Sequence, residues 1–309
     1  MGAMGRPRLE PNTLAGLGAI VLWSLTVALA RSLTEQLGSF RAAAAVYAVA
    51  GLSSLALLAA ARRSARRLGQ LPRRYLLSCG LLFVLYMLAL YLAIGLARDR
   101  GQVLEIGLVN YLWCPLTLLL SVPLLGKRAG VLIAPGTLLA VGGVFLVLTQ
   151  GSAPSWQSMA SKVAGNPAAY LLALAAAVTW ALYSNLTRRL ASAEETGGVL
   201  LFLPVTGALL LVLALFDPAE GAWSARAAAE ALVLGLATTG AYLLWDAAMR
   251  KGDVVFVAAC SYFVPLLSTL LGSAYLAVAP GASLWIGCVL IVAGSLTSWI
   301  SIADRGPPA

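Results

Sequence analysis

The residues best placed to do chemistry are Trp180, Tyr183, Ser184 and Thr187, at offsets of zero, three, four and seven along one apolar segment. That spacing puts all four on one face of a helix. Such a stripe can recognise rather than make bonds: it offers ring stacking, cation–π contact and hydrogen bonds to an amphipathic small molecule. A related face carries Thr239, Tyr242 and Asp246 at zero, three and seven, and a thinner one carries Trp23, Thr26 and Ala30. Tyr86 and Tyr91 mark another apolar segment, and Asn110, Tyr111 and Trp113 the next. The candidate substrate-contacting residues are therefore Tyr86, Tyr91, Asn110, Tyr111, Trp113, Trp180, Tyr183, Ser184 and Tyr242. Trp and Tyr also mark the membrane–water interface, and that is the reading for Tyr170 and Trp299, which lie near segment ends.

Catalytic chemistry finds little support. The chain has no histidine, which removes His-based dyads, triads and metal sites, and it has no Asp-rich motif for metal-dependent group transfer. Cys79, Cys114, Cys260 and Cys288 sit in apolar segments without metal-ligand spacing and read as small packing residues. No cofactor, metal or catalytic residue is expected. Glu105 and Asp246 are the acids inside apolar segments, and either could take up a proton and couple transport to a proton gradient. An ordinary helix salt pair with Arg250, four residues on, serves equally for Asp246, and Glu105 lies close to an interface. Pro115 and Pro265 each remove a backbone hydrogen bond, leaving the carbonyls of Tyr111 and Ser261 without their usual partners. They mark either tolerated kinks or bends that present polar backbone to a cavity.

The elements that must position these residues are membrane helices. Of 309 residues, 61% are hydrophobic and 11% charged, far from the soluble balance. A helix needs roughly 20 apolar residues to cross the hydrocarbon. Ten such segments are read at about 14–30, 42–61, 75–97, 103–125, 129–149, 168–187, 198–216, 231–249, 254–278 and 282–302. Asp217, Pro218, Glu220, Arg226 and Glu230 form a polar break before the eighth. The runs lack the alternation of membrane strands, so the fold class is an all-α integral membrane protein. The first segment follows Arg6 and Arg8 and reads as a retained helix rather than a cleaved signal. With both termini cytoplasmic, fifteen of the 21 basic residues fall inside, leaving Arg31, Arg41, Arg98, Arg100, Lys162 and Arg226 outside. The cluster Arg62, Arg63, Arg66, Arg67, Arg73 and Arg74 reads as a topology anchor on anionic lipid, not a nucleic-acid site.

The second half echoes the first. With Trp23 placed over Trp180, Leu25, Leu29, Arg31 and Leu33 fall on Leu182, Leu186, Arg188 and Leu190 without a gap. Pro115-Leu116 and Pro265-Leu266 open matching apolar runs. Gly136 and Gly143 lie seven apart, as do Gly287 and Gly294, which suits close helix packing. Five spans per unit reverse the second unit, so ten transmembrane helices form two inverted five-helix repeats around a midplane site. The division is an N-terminal tail at 1–13, a first repeat at 14–149, a linker at 150–166, a second repeat at 167–302 and a tail at 303–309.

These features carry a resemblance to the drug/metabolite transporter superfamily, in its ten-span group with paired EamA-type repeats. It rests on Trp23 and Trp180, Pro115-Leu116 and Pro265-Leu266, and the glycine-bearing fifth and tenth spans, and it covers roughly 13–302. Many relatives carry an acidic residue after the fourth span, where this chain has Gly126-Lys127-Arg128. The stretch Asn110-Tyr111-Leu112-Trp113-Cys114-Pro115 resembles bacterial exporters of aromatic amino acids. The resemblance implies a monomeric inner-membrane carrier in contact with lipid, exporting small organic solutes by alternating access, amino acids including aromatic ones foremost. The alternatives are a carrier of drugs, other metabolites or sugar phosphates, the last needing a basic residue in the cavity, and a passive channel, which would want a polar ring.

Overall fold

In lipid every backbone N–H and C=O must find a partner within the chain, and a helix supplies it locally. The computed structural model describes residues 10–60, 71–150, 153–190, 198–216, 221–251, 257 and 260–303, without the side chains of Asp246, Met249, Arg250 and Lys251. Arg62, Arg63, Arg66 and Arg67 lie outside them. The helices are α1 (Pro11–Ser24), α2 (Thr26–Leu37), α3 (Ser39–Ala60), α4 (Arg73–Gly95), α5 (Arg100–Asn110), α6 (Trp113–Leu125), α7 (Ile133–Leu148), α8 (Trp156–Gly165), α9 (Pro167–Leu190), α10 (Val199–Ala214), α11 (Ala225–Lys251), α12 (Val264–Leu276) and α13 (Ala282–Ile300). Counting α1–α2 and α5–α6 as broken single spans, seven among the described residues are long and apolar enough to cross a membrane. α7, α10 and α12 are shorter apolar helices of 16, 16 and 13 residues. This is an all-α integral membrane protein.

Two spans are broken for local reasons. Ser24 donates its hydroxyl to the Ile20 carbonyl at 2.8 Å, a back-bond that bends helices, and the turn at Leu25 separates α1 from α2. The fourth span breaks at Tyr111–Leu112, just before Pro115. The Tyr111 carbonyl, expected to be orphaned by Pro115, instead accepts from the Cys114 N–H at 3.1 Å. The chain tightens by one residue and satisfies itself. A second turn at Tyr262–Phe263 precedes Pro265, so both prolines sit just past a break.

Two segments expected to be loop are helical. Within the 150–166 linker, Ser155 and Ser158 form a reciprocal capping box that starts α8. Before the eighth span, Ser224 accepts from the Ala227 N–H at 3.0 Å, and α11 begins there, taking Arg226 and Glu230 into the helix.

Packing pairs helices across the chain's halves: α1 lies on α11, α4 on α9, α3 on α10, and α7 on α13. The last pair meets through glycines. A Cβ on Gly143 would stand 2.5 Å from the Gly287 carbonyl oxygen, and one on Gly136 2.7 Å from that of Gly294, so no side chain fits this seam. After α13, Ile302–Ala303 pairs antiparallel with Arg128–Ala129. Leu52, Leu77, Leu138, Leu171 and Val205 point outward, Leu77 with 74% exposure, as a lipid-facing surface requires.

Candidate functional site

The stripe on α9 lands in an aromatic cluster at the centre of the bundle. Trp180 lies 4.6 Å from Tyr86 of α4, 6.4 Å from Trp113 of α6 and 5.0 Å from Tyr183, centroid to centroid. Tyr242 of α11 stands 6.3 Å from Trp180 and 5.6 Å from Trp23 of α1. Phe83 fills the middle, 5.7 Å from both Tyr183 and Tyr242, and Phe202 of α10 backs it at 5.9 Å. The tilted and edge-on rings match the geometry that aromatic quadrupoles favour. Trp23, Tyr86, Trp113 and Trp180 are only partly buried, so faces remain available to a ligand.

Five of the nine candidates, Tyr86, Trp113, Trp180, Tyr183 and Tyr242, thus come together. Tyr91 packs beside Tyr47 at 6.1 Å, away from Trp180. Tyr111 is buried in the break between α5 and α6, its hydroxyl towards Ser268 of α12. Asn110, in the last turn of α5, is 2% exposed, and its side-chain oxygen has no hydrogen-bond partner. Ser184 turns its hydroxyl to its own helix, donating to the Trp180 carbonyl at 2.8 Å. Asp246 lies in α11, and its side chain is outside the described residues. Phe83, Phe202 and Trp245 were not singled out from sequence. Phe83 is three residues before Tyr86, and Trp245 three after Tyr242, so helical spacing was a usable signal for two of them. Buried Asn185 was also missed; it donates to the Thr117 carbonyl of α6 at 3.0 Å and ties α6 to α9.

Paired acids and bases gather at one end of the bundle, where α2, α4 and α12 finish and α5, α9 and α11 start. Arg100 and Arg31 both pair with Glu35, at 2.7 and 2.8 Å. Arg100 also donates to the Leu276 carbonyl at 3.0 Å, and Arg31 to those of Ile94 and Ala97. Glu230, 6% exposed, accepts from Ser32 and Gln36 at 2.9 Å and from Tyr275 and Arg226 at 2.6 Å.

Glu105, 3% exposed, accepts from Gln150 at 2.5 Å, from Lys162 at 3.0 Å and from the Tyr170 hydroxyl. Tyr170 is therefore no interface marker: it is buried, and its hydroxyl also accepts from Gln102. Trp299 is partly buried against the cluster of Cys114, Leu118 and Tyr262. A polar cleft of about 280 Å³ beside Glu105 is lined by Arg98, Asp99, Gln102, Ser161 and Lys162. Among the described residues no group of His, Cys, Asp and Glu is placed to hold a metal ion.

The sequence and the fold both have known counterparts. The profile of the EamA-like transporter family matches twice, at 12–149 and at 167–300. The aromatic amino acid exporter YddG of Escherichia coli K12 is 35% identical over 293 residues, 94% of this chain and 98% of that protein. YddG of Salmonella typhimurium strain 14028s is 35% identical, covering 96% and 99%. YddG of Ancylobacter novellus is 34% identical, covering 92% and 95%. A solved crystal structure superimposes with a TM-score of 0.67 at 31% identity, over 94% of this chain and 97% of the other. The chain belongs to the EamA-like transporter family, whose members are transporters rather than enzymes.

Proposed function

We propose that the protein exports amino acids, aromatic and large apolar ones foremost, by alternating access between two inverted five-helix halves. The observation that carries the reading is the uncharged aromatic centre, built from α1, α4, α6, α9 and α11 and so from both halves. Trp180 and its neighbours offer stacking faces to an apolar side chain and cation–π contact to an ammonium group. The unpaired Asn110 oxygen is an acceptor for that ammonium, because a buried acceptor without a partner is costly until something donates to it. Tyr91, Tyr111 and Ser184 would shape the surroundings. The relatives named as aromatic amino acid exporters support this cargo.

Packing supports the inverted repeat and a count of ten spans. Exchanging the halves turns the α1–α11 pair into the α9–α4 pair and maps α3–α10 and α7–α13 onto themselves. Trp23 against Tyr242 then mirrors Trp180 against Tyr86. The double profile match has the same division, with 150–166 as linker. The bias of basic residues supports cytoplasmic termini in a bacterial inner membrane. Glu105, held by three donors, is occupied as a structural acid, and transport without proton coupling is the reading we favour. Among the described residues no basic side chain is seen beside the aromatic centre to bind a sugar phosphate.

Reconstitution into liposomes tests the function. Saturable efflux of labelled phenylalanine, faster than that of alanine and unchanged by a pH gradient, is expected. Non-saturable flux would make the protein a channel, and transport of sugar phosphates in place of amino acids would discard the cargo.

A further inference from the structure

The charged end of the bundle contains more buried polar chemistry than a lipid-embedded scaffold needs. Each of its three clusters ties one half of the chain to the other. Arg100, gripped by Glu35, reaches the Leu276 carbonyl of α12. Glu230 of α11 holds Ser32 and Gln36 of α2 together with Tyr275 of α12. Glu105 of α5 holds Tyr170 of α9. Deeper along the same helices Leu33, Leu104 and Leu108 are buried, as are Leu37 and Leu276 at the level of the clasps, so apolar packing continues inward from this end. Four ion pairs, Arg31–Glu35, Arg100–Glu35, Lys162–Glu105 and Arg226–Glu230, are seen at this end among the described residues.

The cations of these pairs stay partly in water, Arg100 with 45% and Arg226 with 63% side-chain exposure, so the pairs add little stability; the best-attested use of such charges is to select one arrangement over another. Hydrogen-bonded charges between two moving bodies favour the arrangement in which they meet and cost nothing in the one where water replaces the partner.

We infer that Glu35, Arg100 and Glu230 are the gate that closes the exit of the transporter, at the end the proposed orientation places outside the cell. The inference rests on the alternating-access reading and adds the residues that set its equilibrium. Glu35 is the keystone of the α2–α5–α12 clasp and Glu230 that of the α2–α11–α12 clasp. Opening requires Arg100 to release Leu276 and Tyr275 to release Glu230, after which α12 is free to leave α2 and α5.

Two cysteine probes read the gate from its two sides, in a protein whose Cys79, Cys114, Cys260 and Cys288 are replaced by Ala. Leu104→Cys sits in the seam between α5 and α12, where the Leu104 side chain faces Gly272. Ser184→Cys lies 17 residues along α9 from Pro167, roughly 26 Å from the charged end. A membrane-impermeant maleimide is added from the clasped side for the first probe and from the opposite side for the second. Glu35→Gln, at a partly exposed position that keeps the fold, should speed labelling at 104 by about 3- to 10-fold, since it weakens the charge-assisted grip on Arg100. It should slow labelling at 184. Glu230→Gln should give the same reciprocal pattern.

Unchanged labelling at 104 in both variants overturns the gate, and so does faster labelling at both probes, which is mere loosening. Phenylalanine efflux by the unsubstituted protein in parallel liposomes separates this failure from failure of the exporter reading. Saturable efflux with unmoved probes sinks the gate alone; a reciprocal shift without amino acid efflux leaves the gate and sinks the cargo.

Discussion

The aromatic centre and the charged end are built on opposite principles. At the centre, rings from five helices meet at 4.6–6.4 Å with faces to spare, and the buried Asn110 oxygen is left unpaired. At the end, the buried carboxylates are saturated: Glu230 has four donors and Glu105 three. Stacking tolerates many partners of similar shape, whereas a saturated ion cluster tolerates one arrangement. The centre is thus suited to choosing what is carried, and the end to deciding when it leaves.

The strongest way to break that comparison is Glu230→Ala, which strands Ser32, Gln36 and Tyr275 together. Of these Ser32 is buried and Tyr275 is 42% exposed; a buried group left unsatisfied costs about 1–3 kcal/mol, so thermal unfolding in detergent should occur below that of the parent. Transport of every amino acid should fall in the same proportion, and a loss confined to large cargo would place Glu230 in the selection machinery. Gly143→Ala perturbs neither region directly. Its new Cβ meets the Gly287 carbonyl at 2.5 Å, so α7 and α13 must part, at a cost of about 1–3 kcal/mol in melting experiments, with cargo preference intact.

Trp180→Ala sharpens the comparison from the other side. Losing one stacking ring should cost roughly 0.5–1.5 kcal/mol beyond buried area, about a 2- to 13-fold weakening, for phenylalanine-like cargo and not for alanine-like cargo. Equal loss for both, after correction for folded protein, would remove Trp180 from the selecting surface. The smallest effect belongs to Asp246→Asn, which should leave the pH dependence of efflux where it was. A flattened pH profile would make Asp246 a proton carrier.

Much of the centre was legible in the sequence, because helical spacing is a one-dimensional signal. Trp180 and Tyr183 share a stripe, and it met Tyr86, Trp113 and Tyr242 as the polar-aromatic pattern suggested. The glycine pairs seven apart were equally readable, since close packing leaves small residues in register. The charged end was not. Glu230 looked like loop because Asp217, Pro218 and Glu220 precede it, and the helix-forming run Ala227–Ala228–Ala229 that carries it inward is short. Tyr170 looked like an interface marker because its partner Glu105 is 65 residues away, and no local pattern reports such a meeting. Helix α8 was hidden by a composition of Ser, Ala and Gly, in which one capping box decides the outcome.

The glycine seam also has a consequence in time. Gly143 is made about 144 residues before the Gly287 it packs against. At ~5–20 residues per second of synthesis, α7 waits roughly 7–29 s beside the ribosome with its flattest face unmatched. α1 and α3 wait likewise for α11 and α10. The nascent first half is therefore a set of loosely held helices rather than a finished module, and a ribosome that stalls before Gly287 would release an unfinished chain to the quality-control proteases of the membrane.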